Sequence, residues 1–322
     1  MVNYDEVINK SKAFNLVLKD KKNNRLSHTY IIISEDQDYA LEFAKSMSII
    51  MLGVEDKHSS LIKIEKGIHP DVIVFGKDNK IMVADAENIV SDVFVRPFEE
   101  DNKIYILENF DETNEETQNK LLKTIEEPPA SSYFIIHSKS EKKLLQTVLS
   151  RGTIITLDLL SKEDIEKMLT NIGVEAGIAK TCASCSGGVF SRAYKMATDK
   201  EFMILYNNIF KCLKNMNSSR DVLAFSSLFS EKSIDKAELA DLFMIIIRDI
   251  MMIKVGNGEL IDNKYKEDEL KLIANGFSLN SLYKIIEYCL QLKEDLIYNT
   301  NSVSAIDEFL LKMVEAKVKC KT

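Results

Sequence analysis

Ser34-Glu35-Asp36-Gln37-Asp38-Tyr39 stands at the first strand-to-helix turn, where glycine amides and a helix N-terminus cradle phosphate in nucleotide-binding α/β proteins. The turn holds three carboxylates, no glycine and no lysine, so phosphate would meet repulsion there. Gly76-Lys77-Asp78 is the one Gly-Lys pair, and it lacks the upstream glycine and the following Ser or Thr of a P-loop. A second nucleotide-site element would be a strand ending in two acids, one for magnesium and one for the attacking water. Ile104-Tyr105-Ile106-Leu107-Glu108-Asn109 keeps the first acid as Glu108 and places Asn109, which is no base, second. These residues predict a chain that does not bind nucleotide by the usual route.

Other reactive types have plainer readings. Arg151 is expected at the C-terminal end of a helix over Ser140–Leu149, with Gly152 ending that helix; a cation there meets the helix dipole for about 0.3–1 kcal/mol. Arg192 reads as a surface or interdomain salt-bridge residue. Cys182-Ala183-Ser184-Cys185 has metal-like spacing, yet it falls on a helical pattern with no second pair and no nearby histidine, so core packing is expected. His58 beside Glu55 and Asp56 and the basic run Lys19–Arg25 before the first strand read as solvated loops, and the acidic stretch Glu99–Glu116 reads as solvated surface. The five cysteines, Cys182, Cys185, Cys212, Cys289 and Cys320, form no framework spacing and are expected as reduced thiols without disulfides.

The elements that must position these groups follow from periodicity. Short apolar runs at Thr29–Ile33, Asp71–Val74, Lys103–Leu107, Tyr133–Ile136 and Thr153–Leu157 predict strands, alternating with helical patterns as in a parallel sheet flanked by helices. Helices are expected over Tyr39–Leu52 and Ala86–Val95, the latter stopped by Arg96-Pro97-Phe98. A third opens on Thr113 with Glu116 three residues on, a capping box, presents Gln118, Leu121, Leu122 and Ile125 inward, and stops at Pro128-Pro129. After Leu157 helix follows helix. Ser161 caps one that ends near Gly173, Ser186-Gly187-Gly188 ends the next, and longer ones follow, with Leu242–Ile253 and the stripe Leu282, Ile285, Ile286, Cys289, Leu290 as buried faces.

Composition agrees with this plan. A chain of 322 residues exceeds one compact core, and Gly 11 with Pro 4 lies well below average usage, which favours long helices. A net charge of −8 gives no overall attraction for a phosphate backbone. The start lacks a basic segment followed by an apolar one, so no signal peptide is expected, and Leu242–Ile253, interrupted by Arg248 and Asp249, is too short to cross a bilayer.

Several phrases resemble one family. Lys103-Ile104-Tyr105-Ile106-Leu107, Gln118-Asn119-Lys120-Leu121-Leu122-Lys123-Thr124-Ile125-Glu126-Glu127-Pro128-Pro129 and Leu144-Leu145-Gln146-Thr147-Val148-Leu149-Ser150-Arg151 are similar to the AAA+ subunits of bacterial sliding-clamp loaders. Ser27-His28-Thr29-Tyr30, His69-Pro70-Asp71 and Arg96-Pro97-Phe98 extend the resemblance over most of 25–157. Gly187-Gly188-Val189-Phe190-Ser191-Arg192-Ala193 resembles the family's lid helix, and Asn299-Thr300-Asn301 its collar more faintly.

The resemblance implies an α/β AAA+ parallel-sheet module over 1–158 with a degenerate nucleotide site, a small helical lid over 159–200 and an all-helical collar over 201–322 that packs against other collars. It implies a non-hydrolysing, stator-like subunit of the DNA polymerase III clamp loader, cytoplasmic and acting in DNA replication. Arg151 matches the arginine that reaches a neighbour's ATP as a finger in trans, with Ser150 supporting its position; Arg192 matches a phosphate-sensing arginine of active relatives. No cofactor is expected on this chain, since ATP and magnesium would belong to the neighbouring motor subunit. No zinc is expected, because the stretch between Leu52 and His69 has no cysteine where many relatives carry a cluster. Implied partners are motor (gamma/tau) and delta subunits and, through them, the sliding clamp and primed DNA. An active AAA+ ATPase with a non-standard site and an AAA+-derived DNA-binding regulator are the alternatives.

Overall fold

The computed structural model describes residues 2–76, 80–231, 236–297 and 301–319, with side chains described except at 236, 237, 297, 318 and 319. Lys77 and Asp78, Asn299 and Thr300, and Cys320 lie outside the described residues. The chain divides into two compact units: residues up to Leu160 with Val189–Ser191, and Ser161–Gly188 with everything from Arg192 onward.

In the first unit α1 (Asp5–Lys10) and α2 (Lys12–Lys22) precede β1 (Thr29–Ile33). Next come α3 (Gln37–Leu52), α4 (His58–Glu65) and β2 (Val72–Phe75), then α5 (Val83–Asp92) and β3 (Lys103–Leu107). The unit continues with α6 (Glu115–Glu126), β4 (Ser132–Ser138), α7 (Gln146–Leu149) and β5 (Thr153–Thr156). All strand pairs are parallel, in the order β2-β3-β4-β1-β5. Parallel strands require crossovers that cover both faces, which is why β1 and β3 are apolar after their first residues, Thr29 and Lys103, rather than alternating. Alternate residues Ile31, Tyr105, Leu107, Phe134 and Ile136 face one layer, packed with Ala86 and Ile89 of α5, Leu121 and Ile125 of α6, and Val148 of α7. Each such fully buried side chain contributes roughly 1.5–3 kcal/mol.

Three local expectations are corrected by side chains that compete for backbone bonds. The helix expected over Ser140–Leu149 is broken: a 3-10 turn, Glu141–Lys143, gives way to extended Leu144 and Leu145 before α7. Buried Gln118 explains the break, because its Oε1 accepts from the Leu145 amide at 3.1 Å and its Nε2 donates to the Lys143 carbonyl at 3.4 Å. The cap of α6 is Asn114, not Thr113; Asn114 accepts from the Thr117 amide, while the Thr113 hydroxyl closes the preceding turn on the Phe110 carbonyl. Helix α5 spans Val83–Asp92 rather than Ala86–Val95, since Asp85 caps its start through the Met82 amide and residues 98–100 are drawn to Asp71.

Gly152 does not end a helix in the left-handed region. The cap of α7 is Ser150, and a Cβ at 152 would lie 2.7 Å from Ile31 Cγ1, so glycine is needed where the chain crosses the sheet. The basic run Lys19–Arg25 is not a loop throughout, because α2 continues to Lys22.

Among the described residues the second unit has helices and no strand, its α-helices being α8 (Lys162–Asn171), α9 (Ala176–Cys185), α10 (Phe190–Thr198, its first two residues grouped with the first unit), α11 (Lys200–Asn215), α12 (Ser219–Phe229), α13 (Lys236–Lys254), α14 (Glu267–Ala274), α15 (Leu279–Ile297) and α16 (Ser302–Lys319). Ser161 caps α8 through the Asp164 amide, as expected. Phe243 centres the core, edge-on to Phe229 at 5.6 Å and to Phe309 at 5.0 Å. Leu282, Ile285 and Cys289 of the expected stripe are buried, but Leu290 is half exposed, so the stripe turns inward at Leu292 instead. Among the described residues no helix is long and apolar enough to cross a membrane.

Asp249 is wholly buried on α13. Its carboxylate accepts from the Asp262 amide at 3.0 Å and from the Asn263 amide and side chain at 2.8 and 2.6 Å, and Asn263 in turn accepts from the Tyr206 hydroxyl at 2.7 Å. Burial still pushes the Asp249 carboxyl above its ordinary range, against these hydrogen bonds.

Candidate functional site

The carboxyl edge of the sheet is where an α/β protein of this plan holds ligands. Here its polar groups hold one another. Asp36, almost fully buried, accepts from the Tyr39 amide at 3.2 Å through one oxygen and from the Ser191 amide at 3.0 Å through the other, so the N-terminus of α3 already carries an anion from its own chain. Ser34 bonds the Asp36 backbone in both directions at 3.1 Å. Tyr4 stacks on Tyr39 at 5.8 Å and meets Phe190 edge-on at 5.5 Å, filling the adjoining space with rings. A triphosphate does not fit this turn, since it would have to displace a bound carboxylate.

At the ends of β3 and β4, Glu108 and His137 are both fully buried with Nδ1 and Oε2 3.1 Å apart. His137 Nε2 lies 3.1 Å from the Ser34 carbonyl, which only accepts, so Nε2 is the donor there, and Nδ1, facing Glu108, accepts from the Asn109 amide at 3.5 Å. Asn109, in the left-handed region at φ 49, donates through its side chain to the Gly76 carbonyl at 3.3 Å. Gly76 itself, at φ +83, has no room for a Cβ against the Glu108 carbonyl. The acid at 108 is therefore committed to a buried pair rather than presented to solvent. The expected solvated character of Glu99–Glu116 is corrected here: Glu108 and Asp111 are buried, and Glu100 is nearly so beneath Lys57 and Ser60.

The amino edge is different. In the register of β1 with β5, Tyr30 lies opposite Thr153, so Arg151 sits level with the start of β1 while Asp36 lies beyond its end. The two are separated by roughly 20 Å of strand. Arg151 donates from Nη1 to the Thr147 carbonyl at 2.7 Å and from Nη2 to Glu126 Oε2 at 2.8 Å. Its side chain is 26% exposed and that of Glu126 52%. Ser150 donates to the same Thr147 carbonyl at 3.2 Å. The structure brings Ser150 and Arg151 together at this edge and brings neither to the turn at Ser34–Tyr39.

Two motifs noted in the sequence turn out to be one device. Asp71 of His-Pro-Asp, wholly buried, accepts from the amides of Phe98, Glu99 and Glu100 at 2.6, 2.7 and 2.9 Å, and His69 Nδ1 accepts from the Asp71 amide at 3.1 Å. Glu99 pairs with Lys63 and Glu100 with Lys57 of α4's cap. The loop so fixed displays Phe94 and Phe98, 74% and 83% exposed.

Arg192 is exposed, with Nη1 donating to the Ser186 carbonyl at 3.4 Å across the Gly187-Gly188 turn. Cys182, Cys185, Cys212 and Cys289 are buried free thiols; burial pushes the Cys182 thiol up to about 11, far from the thiolate that ligates metal. Among the described residues no group of three or more His, Cys, Asp or Glu is placed to hold a metal ion. Sequence reasoning missed His137, Gln118 and Glu126 as structural partners. The signal for His137 was present, as a lone ionisable residue inside the apolar run of β4.

Comparison with known proteins covers both units. A family model described as DNA polymerase III, delta subunit, matches residues 9–161, and one described as DNA polymerase III, delta subunit, C terminal, matches residues 200–311. The chain is 24% identical over 317 residues to DNA polymerase III subunit delta' of Bacillus subtilis (strain 168), spanning 94% of this chain and 96% of that one. It is 23% identical over 283 residues to DNA polymerase III subunit gamma of Buchnera aphidicola subsp. Schizaphis graminum, spanning 78% and 77%. A solved gamma subunit-related protein of Thermotoga maritima aligns at 15% identity and a TM-score of 0.45, covering 94% of this chain and 99% of its own.

Proposed function

This chain belongs to the DNA polymerase III clamp-loader subunit family, and from that premise we propose that it is a non-hydrolysing, stator-like subunit of the delta-prime kind whose Arg151 completes a neighbour's ATP site. The observation that carries the proposal is the placement of Asp36 and Arg151 at opposite edges of one sheet. Asp36 occupies the helix N-terminus that a triphosphate would need. Arg151, roughly 20 Å of strand away, can serve a nucleotide only when that nucleotide arrives on another chain. An arginine fork suits a phosphoryl group gaining charge, and a finger supplied in trans is worth about 10³–10⁵ in rate.

In this role Ser150 steadies Arg151 through their shared Thr147 carbonyl. ATP and magnesium belong to the neighbouring motor subunit of the gamma/tau kind, a delta subunit completes the assembly, and the complex places a sliding clamp on primed DNA. Residues 159–200 act as lid and 201–322 as collar. Exposed Leu223, Leu272, Tyr283 and Leu290 give the collar apolar surface for packing on its counterparts.

The isolated chain is expected to bind no magnesium–ATP in calorimetry. Mixed with motor and delta subunits it should form a defined complex whose DNA-stimulated ATP hydrolysis falls with Arg151→Ala while assembly persists. Tight nucleotide binding by the chain alone would replace the stator role with a hydrolysing one. Steeply salt-dependent binding to primed DNA alone would point to a regulator.

A further inference from the structure

Arginine recognises phosphate best through the edge formed by Nε and one Nη, which reaches two oxygens at once. That edge is half used in Arg151. Nη2 meets Glu126 through a single bond of 2.8 Å, Nη1 is turned to the Thr147 carbonyl at 2.7 Å, and Nε is buried with no hydrogen-bond partner among the described residues. A buried N–H without an acceptor is a cost that a folded chain ordinarily avoids, so something must hold the side chain in this pose. The Thr147 bond is one carbonyl of an ordinary helix end. Among the described residues Glu126 is the only charged partner of the guanidinium, and it comes from a different helix, at the last residue of α6.

We infer that Glu126 is a latch for Arg151: it folds the guanidinium back onto its own subunit, with Nε hidden, until a neighbour's nucleotide offers a more highly charged and bidentate acceptor. This rests on the finger role proposed above and adds to it the residue that sets when the finger is available. The balance suits a latch. Glu126 is half exposed, so its pair with Arg151 is screened and weak enough for a polyanion to displace, whereas a buried carboxylate would have trapped the arginine. While the latch is closed only a fraction of subunits present a free finger, and apparent affinity for the nucleotide that needs the finger falls by that fraction. Glu126 is a positioning residue in this scheme, since it acts only through Arg151.

The test uses the complete loader, assembled from this chain with its motor and delta partners, and follows DNA-stimulated hydrolysis across ATP concentration. Glu126→Gln is expected to lower KM for ATP about two- to five-fold, the span of an exposed ion pair, with the change in KM exceeding any change in kcat. Arg151→Ala is expected to lower kcat, and adding Glu126→Gln to it should then change nothing, because the latch has nothing left to hold. If Glu126→Gln leaves KM unchanged or raises it while Arg151→Ala lowers kcat, the latch is wrong and the finger stands. If Arg151→Ala has no effect, the finger fails and the latch with it. Unaltered far-ultraviolet circular dichroism and assembly in the Gln variant keep a folding defect from passing for either result.

Discussion

The two edges of the sheet contain the same kinds of residue and treat them in opposite ways. At the carboxyl edge Glu108 faces His137 with no solvent on either, and Asp36 is shared between two backbone amides. At the amino edge Arg151 faces Glu126 with both side chains reaching water. Burial makes the first set a permanent fixture, because removing one member strands a charge in a low-dielectric interior. Exposure makes the second exchangeable, because water can take either partner at little cost. Acid and base alone therefore do not mark a working site; what distinguishes these edges is which one still has charge to offer another molecule.

That contrast can be broken at either end. The largest effect is expected from Arg151→Ala, which should cut turnover at the neighbour's ATP site proposed for it by as much as about 10³–10⁵ in the assembled loader, measured by single-turnover hydrolysis. An unchanged rate would erase the functional half of the contrast. His137→Ala, at the other edge, should leave Glu108 unpaired and destabilise the first unit by ~3–5 kcal/mol in urea unfolding. A loss below 1 kcal/mol would mean that the carboxyl edge is less closed than its geometry implies.

Asp36→Ala should cost ~1–2 kcal/mol as the cap of α3 is lost, and should still not create magnesium–ATP binding, because glycine and lysine remain absent from the turn. Nucleotide binding in that variant would show that one carboxylate alone closes the pocket.

The smallest effect concerns pH. Partial burial would raise the Asp92 carboxyl, but hydrogen bonds from Tyr105 and Lys103 outweigh it and hold the group below its ordinary range. A depressed folded value means stability present above the unfolded value and lost as pH falls through the folded one. Asp92→Asn should therefore flatten the acid limb of the unfolding midpoint below the usual carboxylate range and leave the neutral region little changed.

Much of this was legible without coordinates. The runs at Thr29–Ile33 and Lys103–Leu107 matched their strands to the residue, since a doubly buried strand is apolar along most of its length. The make-up of the first strand-to-helix turn was legible too, since its three carboxylates and its lack of glycine and lysine are plain in the sequence. The helix expected over Ser140–Leu149 failed for a reason no local pattern carries. Its hydrogen bonds were taken by Gln118, some 25 residues upstream and in an element of its own. Asp71 likewise reset the end of α5 from a distance.

Sequence by itself determined the class of the fold, the order of its elements and the residue types that stand at the first strand-to-helix turn, because each is written in residue type and short-range period. Only tertiary structure decided what the remaining charges do. It placed Asp36 on its own helix, closed Glu108 against His137, and set Arg151 beside Glu126 at the far edge. Charge identity is a property of a residue; whether that charge is spent or available depends on solvent and neighbours, and these are fixed only when the chain is packed.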